Sequence, residues 1–438
     1  MIWQIFLKGL EYLWVNSMIG DLIERKKQAK ELAMVDYYNV IDHILKNGAD
    51  KDAMKFFLSL NAFGMTKREV LYLSLAMRDS GRVLRYNQVV LEKHSTGGIG
   101  DSTSIVLIPL LASMGYKIIK TTAKSFMFTN GTADRFGAIP NFSCKLTDVE
   151  IQKVLGSTNA CVLSHDGDMC PADKILYELR EECGLEHDIN LLAASIASKK
   201  LASGAKVVLV DVKYGKASIV KTYSDAIKLS NILKYIFKQN NVECVIVITN
   251  TIQTIGEGVG NAVEVVDAIN VLQGKKCLLR DISITYATEM ILKVNKSLKR
   301  KEVEEMVTTV LDRGEAFNHF LQIVKAQGGD YKVVEQAKLF NPYNSINFVA
   351  DRDGYVGKIN SLLLGELIRR LCAESHDSNI GAVLRVKIGD YVKKGDIIVS
   401  FYYKDQADFE KYKDAISGCV RVTEEVIKPE KVIRKVIR

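Results

Sequence analysis

The sequence predicts an α/β protein: a small helical domain, a large mixed α/β domain with a central, mainly parallel sheet, and a C-terminal α+β module. Three observations lead there. Apolar residues recur at three- and four-residue spacing between Asp21 and Gly81, the period of helices packed on one face. Short apolar runs then alternate with amphipathic segments, the pattern of parallel strands joined by crossover helices. Beyond about Phe340 the chain breaks into short strands and turns.

The first stretch, Met1–Met18, holds both tryptophans, Trp3 and Trp14, and is interrupted by Lys8 and Glu11. It lacks the cationic start, unbroken apolar centre and cleavage site of a signal peptide. It reads as an added N-terminal helix, or as sequence ahead of a true start at Met18. The helical unit follows, with apolar faces in Val35–Ile41 and Val70–Met77; Thr66 and Glu69 form a capping-box pair ahead of the second, and Gly81 stops it.

Val89–Leu91, Tyr116–Lys120, Ala160–Leu163, Val207–Val212 and Cys244–Thr249 read as buried strands, with helices near Thr103–Met114, Ser218–Lys238 and Asn261–Leu272. Pro171–Gly204 reads as two consecutive helices that return the chain to the helical domain. Later strands fall at Val383–Val386, Asp390–Val392 and Asp396–Phe401. Their rhythm resembles a lipoyl or biotinyl carrier module, but no lysine sits in a modifiable tripeptide, so the module reads as structural. The divisions are an N-terminal extension (1–18), a helical domain (19–83 and 172–204), an α/β domain (84–171 and 205–335) and an α+β module (336–438).

The 438 residues are 47% hydrophobic and 26% charged, a globular composition that excludes wholesale disorder, collagen-like repeats and a polytopic membrane protein. A net charge of +8 without a long basic block argues against nucleic acid as a partner. Eight cysteines without a CxxC pair resemble neither a zinc site nor a disulfide scaffold. A reduced, cytoplasmic setting is expected, with no membrane partner.

The strongest local feature is Glu92–Ser104, a glycine-rich turn from a strand into an apolar helix. Its glycines free backbone N–H groups to face a ligand, and the helix start adds positive potential, so the geometry favours an anion. Lys93, Ser95 and Ser104 are the candidate donors. The plain alternative is a tight turn; the lysine, histidine and hydroxyls packed into it favour the anion site. The spacing fits neither a P-loop nor a dinucleotide fingerprint. The Gly256–Gly260 run likewise lacks dinucleotide spacing.

Lys93-His94-Ser95-Thr96-Gly97-Gly98-Ile99-Gly100-Asp101 resembles the KHSTGGVGD signature of the thymidine and pyrimidine-nucleoside phosphorylases, and Met77–Gly81 their MRDSG. The likeness continues through Gly131-Thr132, Pro171–Lys174, Ala194–Ile196, Lys199–Leu201, Asp211–Lys213 and Gly260–Val265. It implies reversible phosphorolysis: phosphate attacks the sugar C1′ and a pyrimidine departs, giving free base and (deoxy)ribose 1-phosphate from uridine, thymidine or deoxyuridine. No organic cofactor is implied, and phosphate is the co-substrate.

By this resemblance Lys93, Ser95, Ser104, Lys120, Thr122 and Thr132 hold phosphate. Arg180, Ser195 and Lys199 hold the base, with Ser195 and Lys199 four apart on one helix face. Lys200 reads instead as a solvated helix charge. His94 donates to the base O2 as the glycosidic bond breaks, a role that suits imidazole, and joins Arg180 and Lys199 as a catalytic candidate. The other histidines (His43, His165, His187, His319, His376) read as packing or surface positions. Some members hold a potassium ion; the matching residues are Gly100, Ser102, Ile255, Gly258 and Asp267, with Ser102 in place of a threonine and Asp267 of a glutamate. A homodimer joined through helices around Ile23–Leu45, and closure of the domains on the substrate, are also implied.

The chain departs from the family where Lys124 replaces an arginine and Phe126-Met127-Phe128 replaces Leu-Gly-His. Lys120-Thr121-Thr122 and Gly131–Asp134 are closer to an archaeal nucleotide-phosphorylase branch. Two alternatives follow: a phosphorylase of nucleoside 5′-monophosphates, and a catalytically silent nucleoside-binding paralogue. A phosphoribosyltransferase is disfavoured by the C-terminal module and the Arg180–Lys199 set.

Overall fold

The computed structural model describes residues 18–122, 131–164 and 168–438. Its fold is α/β, and contacts divide it into two units. The first is drawn from described residues up to Asn87, from 168 to Ala205, and from Ser224–Cys244. The second takes in Gln88–Ser164, Lys206–Tyr223 and Val245–Arg438.

In the first unit, residues 18–27 are helical, followed by Met34–Asn47, Lys51–Phe63 and Lys67–Asp79. Thr66 caps the last of these: its hydroxyl accepts the Glu69 N–H at 3.1 Å, and the Glu69 carboxylate accepts the Thr66 N–H at 2.8 Å. The expected pair of later helices is present as Pro171–Glu182 and Ile189–Ala202. Gly81 is needed for the return: a Cβ there would lie 2.3 Å from the Asp168 carbonyl and 2.5 Å from the Pro171 ring. The helix expected from Ser218 begins at Tyr223 and ends at Gln239. Residues before it form a turn closed by a bridge from Tyr214 to Val220.

The second unit is built on a six-stranded sheet of β1 (Val90–Ser95), β2 (Lys117–Thr122), β3 (Ala160–Ser164), β4 (Val207–Tyr214), β5 (Glu243–Asn250) and the last strand of the chain, β13 (Ile433–Ile437). Their order is β13-β5-β4-β1-β2-β3. β4, β1, β2 and β3 pair in parallel, whereas β13 runs antiparallel to β5. β1 continues to Ser95, so Lys93, His94 and Ser95 lie on strand, not in the turn as expected. The helix Thr103–Ser113 after the turn is buried all round, as a helix without a polar face must be. It packs with Leu278–Val294 and Glu315–Ala326, helices that periodicity did not single out.

The remaining strands are β6 (Gly258–Val259), β7 (Asn344–Val349), β8 (Gly354–Ile359), β9 (Gly381–Leu384), β10 (Tyr391–Val392), β11 (Ile397–Tyr403) and β12 (Val420–Thr423). They form a β10-β8-β12 sheet and a β6-β9-β11-β7 sheet, with their own core around Ile368, Leu384 and Phe401. No helix among the described residues is long and apolar enough to cross a membrane.

Candidate active site

In parallel sheets ligands gather at the carboxyl ends of the strands, and there the second unit places its candidates. Lys93 and Ser95 are on β1 and both meet Asp101. The Ser95 hydroxyl donates to Asp101 Oδ2 at 3.0 Å, and the Lys93 ammonium lies 3.5 Å from the same oxygen and 2.7 Å from Thr103 Oγ1. Thr103 N–H donates to Asp101 Oδ1 at 3.2 Å. His94 is half-buried on β1, opposite Val210 of β4. Ser104 is buried on the first turn of the following helix.

Lys120 is buried on β2 and donates to the Thr121 carbonyl at 3.2 Å. Thr122 closes that strand, and its hydroxyl accepts the Ala133 N–H at 3.2 Å, which ties it to the short helix led by Thr132. Glu92 Oε1 accepts the N–H of Thr121 at 2.9 Å and so locks β2 beside β1. The substitutions at Lys124 and Phe126-Met127-Phe128 lie outside the described residues.

More buried charge underlies this turn than its residue spacing reveals. Lys213 of β4 lies 3.4 Å from Asp101 Oδ2 and also pairs with Asp211, whose other oxygen accepts from Thr249 at 2.7 Å. Burial pushes the Lys93 ammonium down in pKa. It pushes the Asp101 carboxyl up, but Lys213 and Lys93 outweigh it and hold that carboxyl well below the usual range.

The first unit places the other candidates. Ser195 and Lys199 share a face of the Ile189–Ala202 helix as expected: Lys199 Nζ donates to Ser195 Oγ at 2.8 Å and pairs with Asp173. Asp173 has no role in the set the resemblance implies, and no spacing signal marks it. Arg180 is buried, its guanidinium donating to the carbonyls of Leu185 at 3.3 Å and Glu186 at 2.8 Å; burial pushes its pKa down. Arg180, Ser195 and Asp173 line a pocket with Phe57, Leu73 and Met77, an apolar slot edged by polar groups. Lys200 corrects the sequence reading: it is 1% exposed, not solvated, because its helix is covered on nearly every side. Two histidines are in packing positions: His43 bonds Asp50 at 2.8 Å and His319 the Thr158 carbonyl at 2.6 Å.

Three of the residues matched to a potassium site, Gly100, Gly258 and Asp267, lie close together in the second unit. The Gly100 carbonyl accepts the Gly256 N–H at 2.8 Å. A Cβ on Gly100 would stand 2.9 Å from the Gly258 carbonyl, and one on Gly256 2.3 Å from Asp267 Oδ2. Ser102 Oγ is buried with no hydrogen-bond partner among the described residues. A buried hydroxyl two residues along the chain from Gly100, together with carbonyl and carboxylate oxygens, is the donor chemistry a hard cation takes. Lys387 reaches the same loop, donating to the carbonyls of Thr254 at 3.0 Å and Gly256 at 2.7 Å, and burial pushes its pKa down to about 8.

Comparison with known proteins bears on the family of the chain. Residues 87–317 match the model of the glycosyl transferase family a/b domain, and 355–423 that of the pyrimidine nucleoside phosphorylase C-terminal domain. The pyrimidine-nucleoside phosphorylase of Geobacillus stearothermophilus is 32% identical over 407 residues, covering 90% of this chain and 94% of that protein. The Staphylococcus haemolyticus enzyme of the same name is 31% identical, covering 87% of this chain and 91% of its own length. Among solved structures, anthranilate phosphoribosyltransferase from Thermus thermophilus superposes with a TM-score of 0.58 at 17% identity, covering 70% of this chain and 99% of that one, a likeness of fold. Signature, fold and relatives agree: the chain belongs to the pyrimidine-nucleoside phosphorylase family.

Proposed function

We propose that the chain catalyses the reversible phosphorolysis of pyrimidine nucleosides, with uridine, thymidine and deoxyuridine as substrates. The observation that carries it is the grouping of Arg180, Ser195, Lys199 and Asp173 beside the apolar side chains of Phe57, Leu73 and Met77. A buried guanidinium and a lysine-paired hydroxyl suit the polar edge of a pyrimidine, and apolar neighbours suit its faces. In the second unit, Lys93, Ser95, Ser104, Lys120, Thr122 and Thr132 are assigned to phosphate.

A phosphate oxygen forms a bond to C1′ as the C1′–N1 bond breaks, and the electron pair passes to the base. Arg180 and Lys199 stabilise the charge that develops there, and His94 donates to O2 so that the base leaves neutral. The test is phosphate-dependent base release from uridine, thymidine, deoxyuridine, cytidine and the corresponding 5′-monophosphates, compared side by side. Release from the nucleosides is expected. Release from the monophosphates alone would replace this reading with the nucleotide one, and no release with any substrate would replace it with the binding one.

Gly100, Ser102, Ile255, Gly258 and Asp267 are assigned to potassium, which when bound supplies fixed positive charge beside the turn. Exchanging potassium for tetramethylammonium is expected to lower the melting temperature by several degrees, as loss of a ligand specific to the folded state does, and Asp267→Asn is expected to abolish the difference. A homodimer is assigned through the helices of the first unit, where Met34 and Val35 expose apolar side chains.

A further inference from the structure

We propose that Lys213, which lies outside the residues assigned to the reaction, is a positioning residue for the phosphate cradle: it fixes Asp101, to which Lys93 and Ser95 are tethered. The inference rests on the phosphate reading above and extends it to the residues beneath the glycine turn.

Four charged side chains lie buried together there. Lys93 and Lys213 are each 1% exposed, Asp211 is fully covered, and Asp101 is 7% exposed. Two ammonium groups face two carboxylates, so the set is neutral as a whole, the condition under which charges persist away from water. Asp101 is its hub. Its Oδ2 lies 3.0 Å from Ser95 Oγ, 3.5 Å from Lys93 Nζ and 3.4 Å from Lys213 Nζ. Two of those three partners are assigned to phosphate; the third, Lys213, is held from behind by Asp211, itself fixed by Thr249.

Lys213 also supports the turn by its backbone and its stem. Its N–H donates to Thr96 Oγ1 at 2.9 Å, and the Thr96 N–H donates to the Asp211 carbonyl at 3.1 Å. These bonds extend the β1–β4 pairing into the turn. A Cβ on Gly98 would stand 2.7 Å from Lys213 Cδ, so the lysine stem is the floor on which the glycine turn lies. Removing the ammonium leaves Lys93 as the one ammonium of the set opposite two carboxylates, so that it is drawn further inward while Asp101 loses one of the partners that orient it. Donors to an anion must hold position to within about 0.5 Å to be useful. The effect therefore falls on phosphate, not on the nucleoside.

The test uses the full chain, titrated calorimetrically with inorganic phosphate and assayed for phosphorolysis at saturating uridine. Lys213→Met is expected to raise both the phosphate Kd and the phosphate KM by about tenfold, with the uridine KM within twofold of wild type. Lys213→Arg, which keeps a cation opposite Asp101, is expected to recover most of the loss. If Lys213→Met does not fold by circular dichroism, Thr96→Val decides: it removes the acceptor for the Lys213 N–H at constant shape, and a severalfold rise in phosphate KM is expected. Unchanged phosphate affinity in the folded variants overturns the inference. So does an equal loss for both substrates with arginine no better than methionine, the mark of a merely structural lysine. A wild-type protein that binds no phosphate and releases no base overturns the phosphorylase reading itself.

Discussion

Lys199→Ala and Arg180→Ala are each expected to lower kcat/KM for uridine phosphorolysis by at least about a hundredfold, the usual result of removing one donor aimed at developing charge. Lys199 is expected to show the larger effect. Its ammonium joins Ser195 Oγ at 2.8 Å to the Asp173 carboxylate, so alanine removes a donor and also takes away the ammonium that faces Asp173. A negative charge there opposes the charge that builds on a departing pyrimidine. Arg180 is anchored by two backbone carbonyls, and its loss removes a positive potential already desolvated by its surroundings. The measurement is steady-state kinetics on both variants with melting curves alongside. Turnover near wild type in both would remove the base site from these helices.

The grouping of these side chains was legible in part, and the division has a physical reason. Ser195 and Lys199 could be placed on one face because helical spacing fixes it, and they do meet. Asp173 could not be placed with them, because it approaches from another helix twenty-six positions away in sequence, and spacing does not report such contacts. Lys200 misled for a related reason. A helix buried on nearly all sides has no polar face against which a lysine can be judged solvated. The strands of the central sheet were legible as apolar runs, whereas β13 was not: Ile433–Ile437 carries Arg434 and Lys435 in the middle of its apolar residues. It is an antiparallel edge strand on β5, where charged residues are at home because one edge faces no partner strand.

The same limit applies to Glu69, and it yields the largest stability effect expected in the molecule. The sequence shows Glu69 as the third residue of a capping box, for which loss of the cap costs about 1 kcal/mol. The structure shows a fully buried carboxylate with four donor contacts: the Lys26 ammonium at 2.9 and 3.0 Å, the Leu32 N–H at 3.0 Å and the Thr66 N–H at 2.8 Å. Lys26 is itself 4% exposed, so Glu69→Ala leaves a buried ammonium and two backbone N–H groups without their acceptor. Breaking one side of such a pair costs about 3–5 kcal/mol, several times the value of a cap. Urea unfolding followed by circular dichroism measures it. The double variant Lys26→Met/Glu69→Gln separates the two contributions, because it removes the unpaired charge while keeping an acceptor oxygen for one of the two N–H groups. It is expected to recover more than half of the loss. A Glu69→Ala loss near 1 kcal/mol with no recovery in the double variant would show that the carboxylate acts only as a cap and that the buried pair adds nothing to it.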